Sequence, residues 1–221
     1  MNPAMNLEQA RFNMIEQQIR PWDVLDAHVL HLLSVVKREA FVPARHRALA
    51  FVDMEIPLPG GQSMLAPRVE ARLLQDLALQ KHEKVLEIGS GSGYMAALLA
   101  HRAQRVISLE IDPQLAQLAR TNLYAAGIFN AEVRHHDGSK ELPPEGPFDV
   151  ILLSGSLAEV PQALLNSLKA GGRLGAIIGE EPMMRATFVT RLGEAQFRTL
   201  QPWDTVAPRL RNFPQPSRFH F

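Results

Sequence analysis

Cysteine is absent from all 221 residues, so disulfides and thiolate metal sites are both excluded. Its absence fits a reducing compartment, and a cytoplasmic protein is the expectation. Net charge is lacking as well. Lys plus Arg and Asp plus Glu each total 23, so no global positive field gathers a polyanion, and nucleic acid is not an expected partner. Long apolar runs are missing too. The opening MNPAMNLEQARFNMIEQQIRPWDVLD is polar and amphipathic, with no stretch suited to a signal peptide or a membrane span. Aromatics are sparse, and Trp22 and Trp203 read as core or rim residues rather than as base-stacking platforms. His135-His136 has no third and fourth ligand at recognisable spacing, so no metal is expected. His82, His101 and His220 have no evident partners in the sequence.

What is present is an ordinary globular composition, 46% hydrophobic and 21% charged, enough for a sizeable core. The length suits one domain over 1–221, with a helical N-terminal extension and long loop in 1–80 and an α/β core with C-terminal strands in 81–221. Arginine gathers toward the end: Arg185, Arg191, Arg198, Arg209, Arg211 and Arg218 stand against Glu194 and Asp204. A solvated face is the plain reading of that excess.

Apolar residues recur at helical spacing from Leu7 to Ile19, with Pro21 limiting the run. Asp23 is placed to cap a second helix to about Val36, burying Val24, Leu25, Val29, Leu32 and Val36. The stretch from Phe41 to Pro67 is broken by Pro43, Pro57, Pro59, Gly60, Gly61 and Pro67 and must be mostly loop, and a loop of that length usually has a task. A helix from Pro67 to about Leu79 follows. Then KVLEI, RVISLEI, AEVRHH, DVILLS and RLGAIIG alternate with helix-length segments, which predicts βαβ units and a Rossmann-like, doubly wound, mostly parallel sheet. Segments near Phe197 to Gln201 and Arg218 to Phe221 could add antiparallel edge strands.

The segment VLEIGSGSGY runs a buried strand into Gly89, Gly91 and Gly93. Such glycines let the backbone turn sharply and approach a ligand at the carboxyl end of the first strand. A dinucleotide fingerprint would place its third glycine where Tyr94 stands, so the loop favours S-adenosyl-L-methionine over NAD. The next strand ends in Glu110, about 20 residues on, where a carboxylate can accept from both ribose hydroxyls. The third ends in His136-Asp137-Gly138, where Asp137 can accept from an adenine amino group and Gly138 lets the base approach, although Asp-Gly is also an ordinary turn pair.

The ordered set VLEIGSGSGY, ISLEID, HHDG, PFDVILLS and LKAGGRLGAIIG resembles class I S-adenosylmethionine methyltransferases. More closely, KREAFVP, IPLPGGQSMLAP and PFDVILLSGSLAEVP are similar to segments of the protein-L-isoaspartate O-methyltransferases, the second matching that family's substrate loop. The resemblance implies carboxyl O-methylation of isoaspartyl residues in damaged proteins, a protein-repair activity. It implies that the family's ribose acid falls on Glu110, its adenine acid on Asp137 and its glycine loop on Gly89 to Gly93, and the expected cofactor set is Glu87, Gly89, Ser90, Gly91, Gly93, Glu110, Ile111, Asp137, Gly138 and Ser154. It places the catalytic loop positions on Ser63 and Leu65, and the Gly and Pro residues of Ile56 to Pro67, ahead of the helix that leads into the cofactor strand, predict that this segment closes over the methyl group. Because a carboxylate with a pKa of about 3.5 is already ionised at pH 7, the family reaction needs no general base and can rest on positioning.

Two departures lie on the acceptor side. The family's last substrate-loop hydroxyl falls on Leu65, and its C-terminal aromatic-Val-Pro-Leu is replaced by Val206-Ala207-Pro208-Arg209. From Leu65 alone, weak or absent isoaspartyl activity is expected. The partner is accordingly a peptide or protein carboxylate or an unknown small molecule, with oligomeric state open. Alternative readings are a methyltransferase of this fold with a different acceptor, a cofactor-binding protein without turnover, and an RNA methyltransferase.

Overall fold

The computed structural model describes residues 7–215, so the anticipated strand at Arg218 to Phe221, and His220, lie outside the described residues. The first helical run divides into α1 (Leu7–Met14), a π-helical turn at Ile15–Ile19 and a 3-10 turn at Arg20–Trp22. Asp23 does not cap the next helix. It closes the preceding turn with a left-handed backbone, φ 64°, while Asp26 caps α2 (Ala27–Val35) by accepting from the His28 and Val29 amides at 2.7 and 3.3 Å. Leu25 is consequently exposed rather than buried, and Leu30 and Leu33 join Val29 and Leu32 on the buried face.

The Pro/Gly-rich segment forms 3-10 turns and a small hairpin of β1 (Ile56–Pro57) and β2 (Ser63–Met64). After it come α3 (Pro67–Leu77), β3 (Lys84–Ile88), α4 (Tyr94–Arg102), β4 (Arg105–Glu110), α5 (Pro113–Ala125) and β5 (Ala131–His135). The remainder comprises β6 (Phe148–Leu157), α6 (Gln162–Asn166), β7 (Leu168–Glu180), β8 (Met183–Arg191) and β9 (Phe197–Thr205). The seven-stranded sheet runs β5-β4-β3-β6-β7-β8-β9, parallel through β7, with β8 antiparallel to both its neighbours. The expected edge strand near Phe197 to Gln201 is thus present and longer than expected.

Alternation along the strands divides the core. Val85, Val106, Val133 and Val150 pack on one face with residues of α2 to α5, whereas Leu86, Ile107, Ile151 and Leu174 pack on the other with Leu164 of α6 and Phe213. Full burial of each such side chain contributes on the order of 1.5–3 kcal/mol, so the two faces fix the strand register. Between β3 and β6 the strand order reverses. The two strands diverge toward different connections at their carboxyl ends, which opens a crevice where such sheets bind ligands.

Candidate active site

The crevice is a cleft partly open to solvent, lined by residues from the ends of β3, β4, β5 and β6. Its floor is the turn after β3, in which Gly89, Gly91 and Gly93 all adopt positive φ, at 96°, 51° and 85°. These are conformations that only glycine takes without strain. At Gly93 a Cβ would also stand 3.2 Å from backbone atoms of Ala119, so this glycine sets how α4 meets α5 and does not line the crevice.

Along the carboxyl edge the candidate residues form a row in the order of the strands. Asp137 and Gly138 follow β5, Glu110 ends β4, Gly89 follows β3 and Ser154 lies in β6. All of these, together with Gly91, Ile111 and Ser63, line the crevice. Glu110 is nearly buried, and its two oxygens accept from the Gly91 and Asp112 amides at 2.8 and 3.0 Å. Each oxygen keeps a further lone pair for a ligand. Asp137 accepts from the Ser139 hydroxyl at 2.6 Å and from the Asn212 amide at 2.8 Å, and these hydrogen bonds hold its carboxyl below the usual range despite partial burial. The His135 and His136 rings meet backbone oxygens of Ile111 and Glu141 at 3.2 and 2.8 Å.

Ser90 and Leu65 line a smaller hollow, which shares Ser63, Gly89, Gly91 and Ser154 with the crevice. The hairpin therefore brings the Ser63 side into the main crevice, whereas the buried Leu65 borders only the smaller hollow, and its carbonyl accepts from Arg38 at 2.8 Å. The Tyr94 hydroxyl, in the same hollow, is buried and has no hydrogen-bond partner. An unspent donor here and a glycine cradle beside Glu110 fit a polar, nucleoside-bearing cofactor. At Gly138 a Cβ would come within 3.0 Å of Ile88, so the wall there has no room for a side chain.

Glu87 stands one hydroxyl behind the crevice wall. It is completely buried and accepts from Ser108 at 2.5 Å and from Ser154 at 2.7 Å. Burial raises its pKa from 4.5 to about 7, although those two hydroxyls oppose the shift. Since the folded value lies above the unfolded one, the folded state holds more protons between about pH 4.5 and 7, and this residue's contribution to stability falls as pH rises through that window. The expected loss is about 3 kcal/mol. Glu87→Gln should flatten the stability profile over this range, and denaturant titrations at several pH values measure it. Parallel profiles for the two proteins would show that Glu87 carries no such charge burden.

The sequence placed Val206 to Arg209 on the acceptor side, but not the continuation through Leu210, Arg211 and Phe213 as a wall of the crevice. Ser156 pairs with this C-terminal segment through Ser156 N–H to Pro208 O at 2.7 Å and Leu210 N–H to Ser156 O at 3.0 Å. Leu210 is thereby pressed over Gly89 and Gly155, where its side chain comes within 2.9 and 2.8 Å of the points a Cβ would occupy. Arg211 reaches across to the Gly60 carbonyl at 3.2 Å and to Asp112 at 3.6 Å. Among the described residues no three His, Asp or Glu side chains form a metal-holding group, and no helix is long and apolar enough to cross a membrane.

Residues 9–202 match the family model described as protein-L-isoaspartate(D-aspartate) O-methyltransferase. The chain is 41% identical over 169 residues to the protein-L-isoaspartate O-methyltransferase of Methanoculleus marisnigri, which covers 76% of this chain and 77% of that one. It is 37% identical to protein-L-isoaspartate O-methyltransferase 1 of Rhodopseudomonas palustris, over 94% of this chain and 91% of that one. A Plasmodium falciparum structure described as a protein-L-isoaspartate O-methyltransferase in complex with S-adenosyl-L-homocysteine superimposes with a TM-score of 0.78, covering 93% of this chain and 98% of that one. At 21% identity that likeness shows the fold.

Proposed function

Since the chain belongs to the protein-L-isoaspartate(D-aspartate) O-methyltransferase family, we propose that its crevice brings the carboxylate of an isoaspartyl residue in a peptide or protein to the methyl group of S-adenosylmethionine. The enzyme is an S-adenosylmethionine-dependent methyltransferase. When bound, S-adenosylmethionine supplies an electrophilic methyl on a sulfonium. Glu110 receives the ribose, Asp137 and Gly138 the adenine end, and Gly89 and Gly91 let the backbone come close. Ile111 and Ser154 complete the wall, with Glu87 behind it holding the Ser154 hydroxyl, Ser90 and Gly93 shape the turn, and the hairpin carrying Ser63 covers the acceptor side. No proton needs to be removed from an ionised carboxylate, so the chain's work is orientation and exclusion of water, and orientation is an effect that reaches about 7–11 kcal/mol in well-oriented systems.

The observation that carries this reading is that the Ser63 hairpin and the Glu110–Gly89 cradle meet on one crevice. Leu65 alone argued for weak isoaspartyl activity. The carbonyl of Leu65 is engaged by Arg38 and the residue borders only the smaller hollow, which supports a lesser role for that position. Incubation with labelled S-adenosylmethionine and a matched pair of peptides should transfer methyl to the isoaspartyl peptide and not to its aspartyl twin. Leu65→Ser should gain less than about threefold in rate. A buried hydrogen bond restored at about 1–3 kcal/mol would instead give roughly five- to more than hundredfold. Equal labelling of both peptides, or none of either, would remove the reading.

A further inference from the structure

The acceptor end of the crevice can be located from the strand order. Adenine, ribose and methyl-bearing candidates proceed from β5 through β4 and β3 to β6, so an acceptor belongs on the far side, where β7 ends. At that end lies Arg209, which lines the crevice and is held by one hydrogen bond from its guanidinium to the Gly179 carbonyl, at 2.8 Å. A second guanidinium nitrogen, Nη1, is buried and has no partner. Among the described residues no carboxylate pairs with Arg209, whereas its neighbour Arg211 is engaged with Gly60 and Asp112, and Arg185 with Asp204. A planar cation with unspent donors in a partly dry wall is matched by a carboxylate, which accepts two parallel N–H bonds from it. The backbone pairing of Ser156 with the segment on both sides of Arg209 fixes where the side chain starts, so the cation is held in place by the sheet.

We infer that Arg209 binds the acceptor carboxylate and is a specificity-determining residue of the transfer reaction. This rests on the proposed function, and it assigns to Arg209 the recognition that a hydroxyl at position 65 would otherwise give. Charge selection follows from it. An acceptor offering a neutral amide in place of the carboxylate has one oxygen to accept from the guanidinium but neither the second oxygen nor the charge, so the bidentate, charge-assisted pair is lost.

The test is titration of the protein, saturated with S-adenosylhomocysteine, with an isoaspartyl peptide and with the same peptide carrying an α-carboxamide, alongside initial rates on the isoaspartyl peptide. Wild type should prefer the carboxylate peptide by at least about tenfold, and Arg209→Leu should lose that preference and raise the peptide KM to a similar extent with kcat little changed. Affinity for S-adenosylhomocysteine and thermal stability should be the same in both proteins, and Arg209→Lys should recover part of the preference. Two results overturn the inference while leaving the proposed function intact: a wild type that methylates the isoaspartyl peptide with Arg209→Leu equally selective, or a variant in which cofactor and peptide affinity fall together. A wild type that neither binds nor methylates the isoaspartyl peptide overturns both.

Discussion

Glu110→Ala is expected to weaken binding of S-adenosylhomocysteine roughly tenfold or more, the equivalent of about 1.5–3 kcal/mol for a lost charge-assisted partner. In this structure the same carboxylate also accepts from the Gly91 and Asp112 amides, one in the glycine turn and the other at the start of the connection into α5. Alanine therefore removes a ligand contact and loosens the cradle at once. Glu110→Gln separates the two effects, because its amide oxygen can still accept from one of those amides while the charge that strengthens a ribose contact is gone. Calorimetry on both variants distinguishes the contributions. A folded Glu110→Ala protein with unchanged affinity would show that the ribose does not meet this residue.

The largest stability effect is expected at Arg38. Its guanidinium is fully buried, pairs with the equally buried Glu70, donates to the Leu65 carbonyl and lies 4.9 Å from the Tyr94 ring centroid. Arg38→Met removes the counterion of Glu70, whose pKa burial already raises from 4.5 to about 7, so the carboxyl must either keep its charge at the full desolvation cost or take up a proton, a loss of up to about 3–5 kcal/mol. For a chain of this size that corresponds to a fall of roughly 6–20 °C in Tm. Replacing both partners, Arg38→Met with Glu70→Leu, should be milder than Arg38→Met alone, since no charge is then stranded. Thermal unfolding of the single and double variants decides the matter. A single variant that loses less than about 1 kcal/mol, or a double variant that loses the sum of the two singles, would remove the buried pair from the account.

Much of the sheet was legible because its signals are local. The runs KVLEI and RVISLEI are short and β-rich, and each is followed by a helix-length segment. The turn after β3 was legible because three glycines in five residues mark a backbone that takes positive φ at each of them, and Glu110 because it closes the following strand at the right interval. Where the sequence misled, distant contacts decided. Asp23 and Asp26 are equally good caps on local grounds, but the Gln75 side chain, on α3, accepts from the Leu25 and Asp26 amides at 2.7 and 3.0 Å and fixes Asp26 at the helix start. Arg38 and Glu70 stand 32 positions apart, so no periodicity could pair them. The two-residue strands of the hairpin are too short for alternation to tell that Ser63, rather than Leu65, would border the main crevice. The Arg excess near the C-terminus resembled a solvated face, yet Arg209 and Arg211 both line the crevice.

The segment from Ala207 to Phe213 contains none of the five ordered motifs, yet it completes the crevice. Arg211 ties it to Gly60 from 151 positions away, so one rim belongs to the front of the chain and the other to its end. A fragment ending at Thr205 would retain every glycine of the cradle, Glu110, Asp137 and all the described strands of the sheet. It would also leave Gly89 and Gly155 open to water where Leu210 now rests, deprive Asp137 of Asn212, and free the hairpin from its tie across the crevice. A minimal version of the protein designed from its motifs alone would therefore lack this strap, and with it one rim of the crevice.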